Sequence, residues 1–274
     1  MSQQAFETIT SEARDCYLRD GVVCLRGLFS DWVETLRAGV QRNRESPGPY
    51  FAENVRGAGG GSFWDDYCNW TRIPEFRRFL LESDAARVAA SVMDSRSAQL
   101  FHDHVLVKEP GTAKATPWHQ DAPYYFIEGT QTVSFWLPLD PVGEAQTLRL
   151  VAGSHAWPKL VRPVRWLDDS DFYGRDEDPY MDLPPIDEMP GDYPVRAWSM
   201  EPGDAVLFHF RTLHGAAGNE LPARRRAFSV RWVGDDARYV ERPGRTSPPF
   251  PGHGMTVGQR LRSDWFPVVW PPAA

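Results

Sequence analysis

The chain of 274 residues contains little cysteine, carries no excess of positive charge and lacks a long apolar run. Its three cysteines, Cys16, Cys24 and Cys68, are scattered and form no pair at metal-ligand spacing, which argues against a disulfide framework and a zinc site. The formal net charge of −7 argues against a general nucleic-acid binder. No apolar stretch reaches the roughly 18 residues that cross a bilayer, and residues 1–10 lack a signal-peptide pattern. We therefore expect a cytoplasmic protein with no nucleic-acid or membrane partner.

The hydrophobic pattern of the chain changes near residue 98. Residues 8–42 indicate helix, strand and helix, and residues 73–94 indicate two short helices. From residue 99 onward, short apolar runs are separated by Pro-Gly, Gly-Ser and Gly-Asp turns, which is typical of a β-sandwich or barrel. We predict one domain over residues 1–274, with a helical N-terminal part over about 1–97 and a β core over about 98–240.

Two irregular segments interrupt this pattern. Residues 43–65 are rich in proline and glycine, with a glycine-rich run at 57–61, and predict either a surface loop or a flap over a site. Residues 161–197 are dominated by acidic side chains and show no helical or strand pattern. Because a structureless insertion of this length is usually functional or mobile, we predict a lid over 161–197, with a solvated surface excursion as the alternative.

One short motif indicates metal chemistry. His119 and Asp121 are two positions apart, so on an extended segment both side chains point to one face. Together with His214 they form the two-histidine, one-carboxylate set of non-heme Fe(II) oxygenases, which leaves coordination positions open for a co-substrate and dioxygen. His209 is the competing candidate for the second histidine.

Several further side chains are candidates for binding ligands. Arg225 follows His214 closely enough to pair with the far carboxylate of a 2-oxoacid. Arg231 shares its strand face and is either a rival for that carboxylate or an anchor for an anionic substrate. The other candidates for the substrate pocket are His102, His104, Lys108, Tyr124 and Tyr125. Lys108 is equally suited to a structural ion pair, and His102 with His104 and His209 would also suit a cupin-like metal site.

In combination, these motifs resemble the phytanoyl-CoA dioxygenase family of Fe(II)/2-oxoglutarate oxygenases. In chain order they are Lys108-Glu109-Pro110-Gly111, Trp118-His119-Gln120-Asp121, Phe135-Trp136-Leu137-Pro138, Ala152-Gly153-Ser154-His155, Pro202-Gly203-Asp204, His214-Gly215 with Asn219, and Arg225. The chain departs from the family where Gln146-Thr147 replaces a common Asn-Gly and where Ala216 replaces a serine that touches the co-substrate in some relatives.

The resemblance implies a mainly β fold, a double-stranded β-helix or cupin-like jelly roll, with N-terminal helices packed outside. It implies that His119, Asp121 and His214 are the iron ligands and that Arg225 binds 2-oxoglutarate, with Trp136 and Thr116 beside these groups.

The implied function is a dioxygenase that uses Fe(II), 2-oxoglutarate and O2 to hydroxylate an unactivated C–H bond of a small molecule, releasing succinate and CO2. The alternatives are a cupin-like metalloenzyme that does not use 2-oxoglutarate and a non-catalytic jelly-roll binding protein. The substrate, its attachment as a thioester and the oligomeric state stay open.

Overall fold

The computed structural model describes residues 9–55, 61–174, 179–189 and 191–272. Within these ranges the α-helices are α1 (Ser11–Asp20), α2 (Val33–Glu45), α3 (Pro74–Glu82) and α4 (Ala85–Val92). The strands are β1 (Val22–Leu25), β2 (Ala52–Val55), β3 (Phe63–Tyr67), β4 (Ala98–Lys108), β5 (Thr116–His119), β6 (Ile127–Glu128), β7 (Thr132–Pro138), β8 (Leu148–Val151), β9 (Val195–Arg196), β10 (Ala205–Phe208), β11 (His214–Ala216), β12 (Arg225–Val233), β13 (Arg238–Tyr239) and β14 (Val268–Trp270). None of the helices in the described ranges is long and apolar enough to cross a membrane.

Two antiparallel sheets form the body of the fold. The large sheet has the order β1-β10-β7-β12-β4-β3-β2, with β14 also pairing with β4. The smaller sheet has the order β5-β11-β8-β9, and β6 pairs with β13 separately. Strands distant in sequence, such as β1 and β10, are therefore neighbours, which is the connectivity of a jelly roll. The predicted mainly β, double-stranded β-helix fold is confirmed.

The N-terminal helices cover one face of the large sheet. Phe76 and Phe79 of α3 are fully buried and pack on Phe228 of β12, with ring centroids 4.7 and 5.6 Å apart. Val230 and Trp232 follow Phe228 at alternate positions of the strand and belong to the same apolar cluster. The helices thus pack outside the β core, held by aromatic side chains that lose most of their contact with water.

The opposite face of the large sheet carries polar side chains into the space between the two sheets. On β12 these are Arg225, Ser229 and Arg231, as their alternation predicts. The ladder between β12 and β4 places Ser229 opposite His104 and Arg231 opposite His102. One face of the large sheet therefore holds the helices, and the other supplies a site.

The two irregular segments differ in what they form. The prediction of a loop over 43–65 is wrong in part, because α2 continues to Glu45 and the hairpin of β2 and β3 extends the large sheet. Phe63 and Trp64 explain the hairpin, since both become fully buried when β3 pairs with β4. Residues 57–60 lie outside the described residues, so the flap stays a prediction. The described part of 161–197 has little regular structure, and its action as a lid also stays a prediction.

We expect the substitution Phe228→Ala to lower the free energy of unfolding by about 3–5 kcal/mol, because it leaves a cavity between α3 and the large sheet. The substitution Leu18→Ala on the exposed face of α1 is the control and should change the free energy by less than about 1 kcal/mol. Urea denaturation measures both. A small loss for Phe228→Ala would show that the helices do not depend on this contact.

Candidate active site

His119, Asp121 and His214 meet between the two sheets. His119 ends β5 and His214 begins β11, and the two residues are direct partners in the antiparallel ladder of these strands. The three side chains are buried and offer ligand atoms that all lie within 4.8 Å of one another. Among the described residues, this is the only group of three such side chains able to hold a metal ion.

Backbone carbonyls determine which nitrogen of each imidazole faces a metal. His119 Nδ1 lies 2.8 Å from the carbonyl oxygen of Pro117, and His214 Nδ1 lies 2.9 Å from that of Thr212. Because a carbonyl only accepts, each Nδ1 carries the proton and each Nε2 keeps a free lone pair. Burial, followed by the neighbouring His214, lowers the pKa of His119 to about 3, and burial also lowers the pKa of His214. Both rings are therefore neutral at neutral pH, as metal ligation requires.

Two neighbours from the large sheet hold Asp121. Its Oδ2 accepts a 2.6 Å hydrogen bond from Ser134 Oγ and lies 3.4 Å from Arg231 Nε. Burial alone would raise the pKa of Asp121, but Arg231 and the two histidines lower it below its usual range. Asp121 is therefore an anion beside two neutral imidazoles. That donor set suits Fe(II), so the residues present fit the metal that the motif predicts.

Basic side chains line a small cavity beside the two histidines. Arg225 is buried and donates to the carbonyl oxygen of Gln146. Lys108 is also buried, donates to the carbonyl oxygen of Ala217 at 2.9 Å and lies over the ring of Phe63. Burial lowers the pKa of Arg225 to about 10, and burial together with Arg225 lowers the pKa of Lys108 to about 6.

The described wall of this cavity contains no carboxylate side chain to balance these groups. Buried cations without a counter-charge are costly, so the cavity is suited to an anionic ligand. Thr116 and Trp136, both predicted to lie near the co-substrate, line the same cavity. Lys108, predicted as a substrate residue, lines this cavity and not the larger one next to it.

The larger cavity has a volume of about 250 Å³. It reaches His119 and Asp121, and its wall includes five of the predicted substrate residues, namely His102, His104, Tyr124, Tyr125 and Arg231. Most of the remaining wall is apolar and aromatic, which is typical of a small-molecule pocket.

Among the wall residues that sequence reasoning missed, Trp166 and Asp65 contact predicted site residues directly. Trp166 of the acidic insertion lines both cavities, and its ring centroid lies 5.0 Å from that of His119. Asp65 of β3 accepts hydrogen bonds from His104 at 2.7 Å and from Asn54 at 2.6 Å. Neither residue belongs to a motif. The one available signal was a large aromatic residue within an acidic stretch, which is an unusual place for a buried contact.

His209 lies away from this site. Its Nε2 donates to the carbonyl oxygen of Thr130 at 3.0 Å, and its Nδ1 accepts from the backbone N–H of Arg211 at 3.0 Å. Both ring nitrogens are therefore engaged within the protein. His209 does not join His102 and His104, so the geometry gives no support to a metal site made of these three histidines.

Known proteins share this fold and these motifs. A model of the phytanoyl-CoA dioxygenase family matches residues 17–227. A probable phytanoyl-CoA dioxygenase from Caenorhabditis elegans is 26% identical over 190 residues, which cover 66% of this chain and 54% of that protein. The chain thus spans about half the length of this curated relative.

Solved structures match over nearly the whole chain. SnoK, a non-heme α-ketoglutarate dependent carbocyclase from nogalamycin biosynthesis, has a TM-score of 0.71 and 25% identity, covering 96% of this chain and 97% of that one. The epimerase SnoN, solved in complex with Fe3+, α-ketoglutarate and nogalamycin RO, has a TM-score of 0.74 and 22% identity, covering 98% and 100%. Because SnoN is only 22% identical to this chain, its similarity shows a shared fold alone.

We expect the substitution Ser134→Ala to weaken metal binding by about 10- to 100-fold, because it removes the hydrogen bond that orients the Asp121 carboxylate. Anaerobic calorimetric titration with Fe(II) measures the affinity. Ser91→Ala, at an exposed position of α4, is the matched control and should leave the affinity unchanged. Equal affinities for the two variants would show that Ser134 does not position Asp121 for a metal.

Proposed function

The chain belongs to the phytanoyl-CoA dioxygenase family, and on that premise we propose that it is an Fe(II)- and 2-oxoglutarate-dependent oxygenase of a small molecule. One observation carries the proposal: a two-histidine, one-carboxylate group lies beside a buried cavity that is lined by Arg225 and Lys108 and contains no described carboxylate. The first feature supplies ligands for iron. The second suits a dicarboxylate co-substrate next to that iron.

Each residue of the site has its own role in the proposed function. His119, Asp121 and His214 hold Fe(II), and Arg225 binds the far carboxylate of 2-oxoglutarate. The oxidation itself is supplied by the bound iron, 2-oxoglutarate and O2, with succinate and CO2 as products. Thr116 and Trp136 line the co-substrate cavity, and Lys108 adds an amine that becomes charged when a carboxylate binds beside it.

The protein also controls geometry and water. Arg231 and Ser134 hold the Asp121 carboxylate in one orientation, so that its second oxygen stays available to the metal. Trp166 packs against His119 and forms part of the wall of both cavities, which keeps water away from the ligand. The substrate occupies the larger cavity, beside Tyr124 and Tyr125, where it reaches the metal side of His119 and Asp121.

We further propose that the reaction is hydroxylation of an unactivated C–H bond. Asp121 keeps a carboxylate at the third ligand position, whereas related halogenases have a small residue there. SnoK is a carbocyclase and SnoN is an epimerase, so proteins with this fold carry out reactions other than hydroxylation. Placement of the substrate carbon in the larger cavity decides between them.

The proposed co-substrate site is tested by titrating the protein anaerobically with Fe(II) and 2-oxoglutarate and following the metal-to-ligand charge-transfer absorption. We expect Arg225→Ala to raise the 2-oxoglutarate concentration needed for the band by at least about tenfold, because a charge-assisted pair is lost. Arg224→Ala is the matched control, since Arg224 is the exposed neighbour and pairs with Glu109 at the surface. Absence of the band with iron bound, or an equal effect of both variants, would refute the proposal.

Binding of 2-oxoglutarate should also take up a proton. Lys108 has a pKa of about 6 because of burial and Arg225, so it is mostly uncharged at neutral pH. A bound carboxylate favours the charged form and raises this pKa, so we expect uptake approaching about one proton at neutral pH. Calorimetry in two buffers of different ionisation enthalpy measures the uptake. It should disappear in Lys108→Met and persist in the exposed-site control Lys159→Met; uptake that is unchanged in Lys108→Met would contradict the prediction.

A further inference from the structure

His102 leaves a buried hydrogen-bond acceptor in the wall of the larger cavity. The side chain is 2% exposed, and its Nδ1 lies 3.2 Å from the carbonyl oxygen of Asp103. Because the carbonyl only accepts, Nδ1 carries the proton of the neutral ring and Nε2 keeps its lone pair. That Nε2 is buried and has no hydrogen-bond partner in the described structure. Buried polar atoms without a partner are rare, and one in the wall of a cavity indicates a ligand group that completes it.

The ring cannot satisfy Nε2 by becoming charged. Burial lowers the pKa of His102 well below its ordinary value, and Arg231 and His104 lower it further. A neutral imidazole at this position accepts a hydrogen bond and has no second proton to donate. The missing partner is therefore a donor.

Most of the other polar groups of the larger cavity already have partners within the protein. His104 donates to Asp65, and the second oxygen of Asp65 accepts from Asn54. Arg231 donates to Ser229 Oγ through Nη1. Its Nε has no hydrogen-bond partner but lies 3.4 Å from the Asp121 carboxylate, which balances the charge of the guanidinium.

Further polar side chains of the wall also have partners within the protein. The hydroxyl of Tyr67 is within 3.1 Å of Ser247 Oγ, and the hydroxyl of Tyr124 donates to the carbonyl oxygen of Val164 at 2.6 Å. Arg165 is exposed to solvent and donates to Ser170 and to the carbonyl oxygen of Asp171. In the described part of the wall, no buried charge lacks an opposite charge or a hydrogen-bond partner to balance it.

Aromatic rings surround the free acceptor. The centroids of Tyr125 and Tyr67 lie 5.2 and 6.2 Å from that of His102. Trp166 stacks on His104 with centroids 6.0 Å apart. A cavity of about 250 Å³ with such walls suits a compact apolar or aromatic framework.

We propose that the larger cavity binds an uncharged, mainly apolar molecule that bears a hydroxyl group, and that this hydroxyl donates a hydrogen bond to His102 Nε2. The inference deepens the proposed function by naming the class of its substrate. The hydroxyl contact orients the molecule within the cavity that His119 and Asp121 also line. His102 is thus a specificity residue, and the reacting carbon lies elsewhere on the molecule.

The test uses four simple probes and needs no turnover. Binding of 4-ethylphenol, 4-ethylanisole, 4-ethylbenzoate and 4-ethylbenzylammonium to the full chain is measured by calorimetry, first without iron and then with Fe(II) and 2-oxoglutarate under anaerobic conditions. The phenol and the anisole differ in the ability to donate a hydrogen bond, and the other two carry a charge of either sign. We expect wild type to bind the phenol about five- to tenfold more tightly than the anisole and to bind both charged probes more weakly than the phenol.

Variants assign the preference to one atom. His102→Leu should bind the phenol and the anisole equally, whereas His102→Gln, which keeps an acceptor oxygen, should retain part of the preference. His253→Leu makes the same change at a histidine outside this cavity and should behave as wild type. Circular dichroism and the melting temperature establish that each variant is folded.

The inference is overturned if wild type does not distinguish the phenol from the anisole, or if the phenol shows no saturable binding at millimolar concentrations. It is also overturned if either charged probe binds more tightly than the phenol once 2-oxoglutarate occupies the cavity beside Arg225. It is also overturned if the preference survives in His102→Leu. The two proposals fail independently. Absence of the charge-transfer band refutes the proposed function, whereas the probe binding measured without iron does not depend on that band. If the charge-transfer band appears but the phenol is not preferred over the anisole, the proposed function stands and only the inference about the substrate is refuted.

Discussion

The site depends on the register of two short antiparallel strands. β5 and β11 pair so that His119 lies directly opposite His214, and β8 holds β11 from its other side by pairing Leu150 with His214. In a strand ladder, a slip of one residue turns a side chain to the opposite face. The carbonyl oxygens of Pro117 and Thr212 then set the same tautomer in both rings. Without this register, neither imidazole would present Nε2 to a common point.

The large sheet completes the site and divides the space next to it. Ser134 and Arg231 are cross-strand partners on β7 and β12, and both reach Asp121. A buried ion pair adds little net stability, so the value of this one lies in fixing the carboxylate.

The two adjoining cavities differ in electrostatics. The one beside Arg225 is lined by basic side chains and by no described carboxylate. In the one beside His102 the charges are balanced, and the buried atoms without a hydrogen-bond partner are His102 Nε2 and Arg231 Nε, of which the second lies 3.4 Å from the Asp121 carboxylate. In the function that we propose, this contrast separates the site of the anionic co-substrate from the site of the uncharged substrate.

Much of this arrangement is visible in local sequence patterns. The helices follow from apolar spacing near 3.6 residues, and the mainly β core follows from short apolar runs separated by turns. His119 and Asp121 share a direction because residues two apart on an extended segment point to one face. The same rule placed Arg225, Ser229 and Arg231 together on β12, and the structure agrees. These features depend on neighbours within a few residues, so no knowledge of the fold was needed to find them.

By itself, then, the sequence determined most of the element types, the fold class and the metal-ligand and arginine side chains that gather between the sheets. Only the tertiary structure decided which distant segments meet there. Asp65 comes from a hairpin in a stretch predicted as a loop, and Trp166 comes from the acidic insertion; both reach the site through contacts far apart in the chain. Lys108 lies beside Arg225 because β4 and β12 pair in that register, which moves it to the smaller cavity. The periodicity of the sequence indicates which face of a strand a residue occupies. Which residue of another strand lies next to it depends on strand register and on the burial of the whole core.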